Sequence, residues 1–303
     1  MVAGILKVAN CLARNKMERT PNLNINENEG GYDSLFARIK NSVIVPQNEH
    51  EWSVESLDST LNSVFADYGQ KAIEANNGSI YMTLSGGLDS TLALAYLRKN
   101  FPDSEIVTFT MGGYENHEDV KHARIASEKY QSNHHEIIAT ADDIAEAINE
   151  YQAKFPDANL EMATKYGDLD VYLLYKKIAE KNPKVVLTFE GIDELAGGYW
   201  PHRDQATEET YEKYWRKLIP DHLEPLTATA ESFGINLEFP YLDERVIKQI
   251  AEIPIEQRSD FDEGKKPLRK IAREMGLPSE IIERPKEGQV GMLRRASRDL
   301  LRQ

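Results

Sequence analysis

The stretch Ile80-Tyr81-Met82-Thr83-Leu84-Ser85-Gly86-Gly87-Leu88-Asp89-Ser90-Thr91-Leu92-Ala93-Leu94-Ala95-Tyr96-Leu97 decides how this chain is read. An apolar run, a Gly-Gly turn and an amphipathic run succeed one another, which spells strand, tight turn, helix. Two glycines let backbone approach a ligand closely, and the first helical turn leaves N–H groups able to bind an anion. The hydroxyls of Ser85 and Ser90 add donors, and Asp89 can hold a cation that neutralises phosphate charge. No lysine follows the glycines, so this is not the G-x-x-x-x-G-K-[ST] loop of common nucleotide hydrolases.

Outward from that stretch, strands and helices alternate. Strands are expected at 80–84, 105–110, 135–139 and in Val185-Val186-Leu187-Thr188-Phe189. Helices are expected to about residue 100, then at 117–130, 141–151 and 168–181. Before the first strand, Leu57, Leu61, Val64, Phe65 and Tyr68 recur at helical spacing, with Ser53 and Ser56 as competing caps. This alternation predicts an α/β fold, a parallel sheet with helices on both faces, whose ligands sit at the carboxyl ends of the strands. After Tyr199 the pattern turns helical, with candidates at 210–218, 223–233, 242–253 and 267–275. The expected organisation is an N-terminal extension over 1–54, partly irregular, and one domain over 55–303 whose part from about 205 is helical.

Composition narrows the function. Hydrophobic residues make up 41% of the 303 and charged residues 28%, so a sizeable core can be buried. The net charge of -14 repels phosphate backbones, which argues against nucleic acid as a partner. Arg294, Arg295, Arg298 and Arg302 make the tail an exception. The single cysteine, Cys11, rules out an intrachain disulfide and fits a reducing compartment. No stretch approaches the ~20 apolar residues of a membrane span, and no export signal is evident, so a cytoplasmic location is expected.

A second motif, Thr188-Phe189-Glu190-Gly191-Ile192-Asp193-Glu194-Leu195-Ala196-Gly197-Gly198-Tyr199, follows the strand at 185–189 and is placed to meet the first. The hexapeptide at 85–90 resembles the PP-loop of ATP pyrophosphatases. Together the two motifs resemble the synthetase domain of asparagine synthetase B and its relatives, the β-lactam synthetases among them. Further matches keep the family's order: Phe109-Thr110-Met111-Gly112, His134-His135-Glu136, Phe239-Pro240-Tyr241-Leu242-Asp243, Lys265-Lys266-Pro267-Leu268-Arg269 and Glu283-Arg284-Pro285-Lys286-Glu287. The resemblance covers about residues 55–290.

That resemblance implies an enzyme that adenylates a small carboxylic acid with ATP and Mg²⁺, releases pyrophosphate, and passes the acyl group to ammonia or an amine. It makes Asp89 and Asp193 the metal carboxylates, Glu190 the group that orients or deprotonates the amine, and Lys286 the cation that steadies developing charge. Ser85, Gly86, Gly87, Asp89, Ser90, Gly191 and Lys265 are implied to bind ATP or its pyrophosphate, and Leu84, Met111 and Thr188 to contact the adenosine. Position 2 is Val where glutamine-hydrolysing members carry a catalytic Cys. Nitrogen is therefore expected from free ammonia, another amine or a partner glutaminase. Phe189 replaces a glycine and is expected to narrow the pocket. Glu238 replaces an arginine, which disfavours an acidic substrate if it faces the pocket. His134 and His135 read as structural, on opposite faces of a strand. Trp200, Trp215 and Tyr214 read as packing, and the alternative for Asp193 and Glu194 is that they merely cap a helix. Other readings stay open: a lactam-forming synthetase, a PP-loop sulfur transferase or RNA-modifying enzyme, an NAD-synthetase-like enzyme, and a non-catalytic adenine-nucleotide binder. The oligomeric state is not legible.

Overall fold

The computed structural model describes residues 32–46 and 52–284. Lys286, Cys11 and the tail arginines lie outside them. Five parallel strands form one sheet in the order β3-β2-β1-β4-β5. They are β1 Ser79–Thr83, β2 Glu105–Gly112, β3 Asn133–Ile138, β4 Val185–Leu187 and β5 Asn236–Glu238. The chain lays down β1, β2 and β3 side by side, then returns to place β4 on the other flank of β1. Right-handed crossovers in opposite directions put helices on opposite faces. Leu88–Asn100 and Glu118–Tyr130 pack together on one face with Val54–Ala75, while Ala141–Lys154, Asp168–Ala179 and Glu224–Glu231 cover the other.

The central strands need that double cover. Every residue of β2 after Glu105 is buried, which excludes a solvated face. Beneath Val54–Ala75 the core is aromatic. Phe65 stacks on Tyr96 with centroids 5.4 Å apart and meets Tyr241 edge-on at 5.3 Å. Such pairs add directionality to ordinary burial.

Most expected elements occur within a few residues of the reading above, and Ser53 caps Val54–Ala75 by accepting from the Ser56 N–H at 3.1 Å. Several elements were not anticipated, and three of them bear on the site and its support. β5 has three residues, too few to show a period, and lies in the stretch read as helical. Helix Leu160–Tyr166 is a short piece closed by Gly167 at φ 88°. Helix Asp33–Asn41 belongs to the extension read as partly irregular, yet Trp215 donates to the Ile39 carbonyl at 3.0 Å and Arg38 to that of Leu242 at 3.1 Å. Trp215 is thus packing, as expected. Trp200 is not: it lies 55% exposed, edge-on to exposed Phe261.

Arg258 has no exposed surface and donates to four carbonyls, of Ile44, Leu195, Ala251 and Ile253, at 2.7–3.1 Å. One guanidinium thereby ties an N-terminal segment to two helices and the turn after one of them. Burial lowers its pKa to about 10, which leaves it charged at neutral pH. Arg258→Met should cost about 3–5 kcal/mol in chemical denaturation, because it strands buried acceptors. Exposed Arg216→Met should stay within about 0.5 kcal/mol.

The two histidines behave as strand geometry requires. His134 Nδ1 lies 2.8 Å from the Thr108 hydroxyl, and the His135 ring stacks on Phe109 at 5.2 Å. Burial pushes His134 down to about 4. Its folded pKa is below the unfolded one, so its contribution is complete above about pH 6.5 and is lost as pH falls toward 4. Between pH 7 and 5 the wild type should lose about 1–2 kcal/mol of stability that His134→Gln retains, read from urea midpoints at both pH values.

Candidate active site

The direction reversal between β1 and β4 opens a crevice at their carboxyl ends, the place where parallel α/β sheets bind ligands. Both sequence motifs emerge there. After β1, Leu84 is still tied to β2 through its N–H and the Phe109 carbonyl at 2.7 Å. The chain then turns at Gly86, φ 67°, where a Cβ would run into the backbone of His122 and Ala123 in helix Glu118–Tyr130. No other residue type fits that position. Gly87 caps Leu88–Asn100 with no side-chain hydrogen bond, and Ser85 and Ser90 join hydroxyls across the loop at 3.2 Å. The Ser90 hydroxyl also accepts from the Ser85 N–H at 3.2 Å. The result is a braced turn whose helix N-terminus carries no side-chain cap, a suitable cradle for phosphate.

The second loop starts with Thr188, whose N–H donates to the Glu238 carbonyl at 2.9 Å and whose hydroxyl lies 3.4 Å from that of Thr83. Gly191, φ 88°, precedes the short helix Ile192–Ala196 and packs against Leu242. Asp193 is in its first turn and nearly buried.

A third element, not adjacent in sequence to either loop, joins them. Lys265, at the N-cap of helix Lys266–Glu274, places its ammonium 2.5 Å from Asp89 Oδ2 and 2.6 Å from Asp193 Oδ1. The carboxylates that the sequence assigned to one site therefore do meet, around the Lys265 ammonium. Tyr241 adds a fixed point by donating to the Asp89 carbonyl at 3.0 Å.

Other assigned residues distribute around this centre. Leu84, Met111 and Thr188 are buried at the ends of β1, β2 and β4. Glu190 is half-buried on the second loop, close enough to the Tyr175 hydroxyl to help raise its pKa well above the ordinary value, burial being the main cause. Glu194 is buried and accepts from the Tyr199 hydroxyl at 2.9 Å; burial first, and then the Asp193 charge, push it up to about 7. Arg284, two residues before Lys286, is paired with Asp119.

Two expectations change. Phe189 does not narrow the crevice: its ring is buried, 6.0 Å from Tyr241 and 6.3 Å from Phe65. Glu238 directs its carboxylate to Lys71 on helix Val54–Ala75, so its charge is answered within the chain. Tyr241, Tyr175 and Gly198 had no role in the sequence reading. Tyr241 and Gly198 at least sit in quoted motifs; Tyr175 is defined by contacts between distant segments.

The centre suits a divalent cation that travels with phosphate. One point already lies within 2.6 Å of both carboxylates, and Asp89 Oδ1 is buried without a hydrogen-bond partner. No group of three or more His, Cys, Asp or Glu able to hold a metal occurs among the described residues. Magnesium, which keeps waters and takes one or two carboxylates plus phosphate oxygens, matches such a donor set better than a metal needing a full protein cage.

The family model described as "Asparagine synthase" matches residues 76–233 and 217–303. Asparagine synthetase [glutamine-hydrolyzing] of Gallus gallus is 32% identical over 247 residues, which is 78% of this chain and 43% of that protein. The Rattus norvegicus and Homo sapiens proteins of the same name are 29% and 28% identical over 248 residues, again 43% of each. The chain thus spans less than half the length of these relatives. Among solved structures, NMN synthetase from Francisella tularensis is similar with a TM-score of 0.42 at 14% identity, covering 80% of this chain and 78% of that one. NAD+ synthetase from Burkholderia pseudomallei gives 0.37 at 15% identity, covering 89% and 94%. The family match, which takes in both loops and Lys265, shows that this chain belongs to the asparagine synthase family.

Proposed function

We propose that the chain is an ATP-dependent amide synthetase that forms AMP and pyrophosphate. A substrate carboxylate attacks the α-phosphorus of ATP and pyrophosphate leaves. Ammonia or an amine then attacks the acyl-adenylate, losing a proton, and AMP departs as the amide forms. The observation that carries this reading is the meeting of Asp89 and Asp193 around one cation beside the N-terminus of Leu88–Asn100.

In this reading Ser85, Gly86, Gly87 and Ser90 receive the pyrophosphate portion through backbone N–H groups and hydroxyls, with Gly191 and Lys265 on the same side. Leu84, Met111 and Thr188 line the adenosine side. Asp89 and Asp193 would hold magnesium, which supplies positive charge against the triphosphate when bound. Glu190 takes or orients the proton of the attacking amine, and Lys286 steadies the negative charge of acyl transfer. The partners are a small carboxylic acid and ammonia, an amine or a glutaminase that delivers ammonia. Since Lys71 pairs Glu238, an acidic substrate is not disfavoured by that residue, and aspartate heads the panel of acids to try.

Pyrophosphate release from protein, ATP, Mg²⁺ and ammonia should depend on one acid of such a panel. Release with none of them, whatever the amine, would turn the reading toward a nucleotide-binding protein. Asp89→Ala should abolish release, since charge on the triphosphate is no longer countered. Glu190→Gln should keep acid-dependent exchange of pyrophosphate into ATP while slowing amide formation by roughly 100-fold or more. Equal loss of both steps in Glu190→Gln would remove that residue from its assigned role.

A further inference from the structure

Lys265 does more in this structure than lie on the phosphate side of a loop. Its side chain is 6% exposed, and an ammonium so buried requires close counter-charges. It has two, and they are the carboxylates given to the metal in the reading above. We propose that Lys265 is the resident counter-ion of the nucleotide-free site: its ammonium occupies the place between Asp89 and Asp193, and a divalent cation enters when incoming phosphate draws the lysine away. The proposal rests on the assignment of Asp89 and Asp193 to the metal.

The backbone is built to deliver this one side chain. Lys265 adopts φ 54°, ψ 38°, the left-handed region that non-glycine residues seldom occupy. Its loop lies so close to the second motif that a Cβ on Gly264 would strike the Gly197 carbonyl oxygen. A Cβ on Gly198 would land on Asp193 Oδ1 and on the Lys265 stem. These close approaches, together with the double ion pair, hold a conformation that carries an intrinsic cost.

Charge decides what can share the space. Two carboxylates and one ammonium leave a single net negative charge, a weak lure for a free divalent ion that must also lie beside the ammonium. Removing the ammonium takes a positive charge away from the point between the two carboxylates and makes the place a stronger lure. Asp89 Oδ1, buried without a hydrogen bond, remains an open donor in either state. A lysine can make the exchange by stem rotation, since its head is a compact charge on four flexible carbons. Incoming phosphate offers it an equivalent partner, so the metal and the phosphates arrive together.

Mn²⁺ serves as a spectroscopic probe, titrated by electron paramagnetic resonance into the full chain without nucleotide. Wild type should bind it weakly, whereas Lys265→Met and Lys265→Gln should bind at least ten-fold more tightly. Gln keeps an N–H donor for a carboxylate, which guards against a variant that fails to fold. The melting temperature of both variants should fall in chelator and recover with Mn²⁺ more than that of wild type. Adding Asp89→Asn to Lys265→Gln should abolish the gain. Equal Mn²⁺ affinity in wild type and both lysine variants overturns the counter-ion role. Failure of wild type to bind Mn²⁺ even with a non-hydrolysable ATP analogue would instead overturn the metal assignment beneath it.

Discussion

Two carboxylates cannot stay close together in a nearly dry crevice without a positive charge between them, and the architecture around the site follows from that. The sheet's reversal of direction supplies the proximity, because β1 and β4 are neighbours whose following loops open at the same end. The ammonium comes from a segment more than seventy residues further along, carried at the N-cap of Lys266–Glu274. Coulomb attraction in a poorly hydrated place thus links three stretches that no local preference would bring together.

Precision in that centre is inherited from packing. The carbonyl of Asp89 is held by Tyr241, whose ring meets Phe65 edge-on, and Phe65 is stacked in turn on Tyr96. Phe189, on the other motif, packs into the same aromatic group. Both loops therefore rest on one rigid support beneath the sheet's end. Glycines do the complementary work above it, at Gly86 and Gly198, by allowing chains to approach to distances that a side chain would forbid.

Much of this was legible in the sequence because the signals were local. A strand followed by Gly-Gly and an amphipathic run carries its own geometry, and long buried strands such as β2 announce themselves by a run of apolar and β-branched residues, Ile106 to Met111. The membership of Asp89, Asp193 and Lys265 in one site was also readable from motif order. Their mutual arrangement was not, since a lysine bridging two acids leaves no trace in the spacing of any of them. β5 was invisible because three residues have no period, and Phe189 was misjudged because a change of size says nothing about which way a ring turns. Trp200 misled in the opposite sense, an aromatic left in water where burial is the ordinary expectation.

The anchoring of helix Asp33–Asn41 has a consequence for how the molecule is divided. Similarity to the family model starts at residue 76, yet the Tyr32 hydroxyl accepts from the Leu237 N–H at 2.6 Å, and the Ile39 and Ile44 carbonyls receive Trp215 and Arg258. The span that the family model matches is shorter than the set of segments packed together. A version trimmed to the matched span would leave an indole and part of a buried guanidinium without the carbonyls they now reach, so residue 76 is the wrong place to cut.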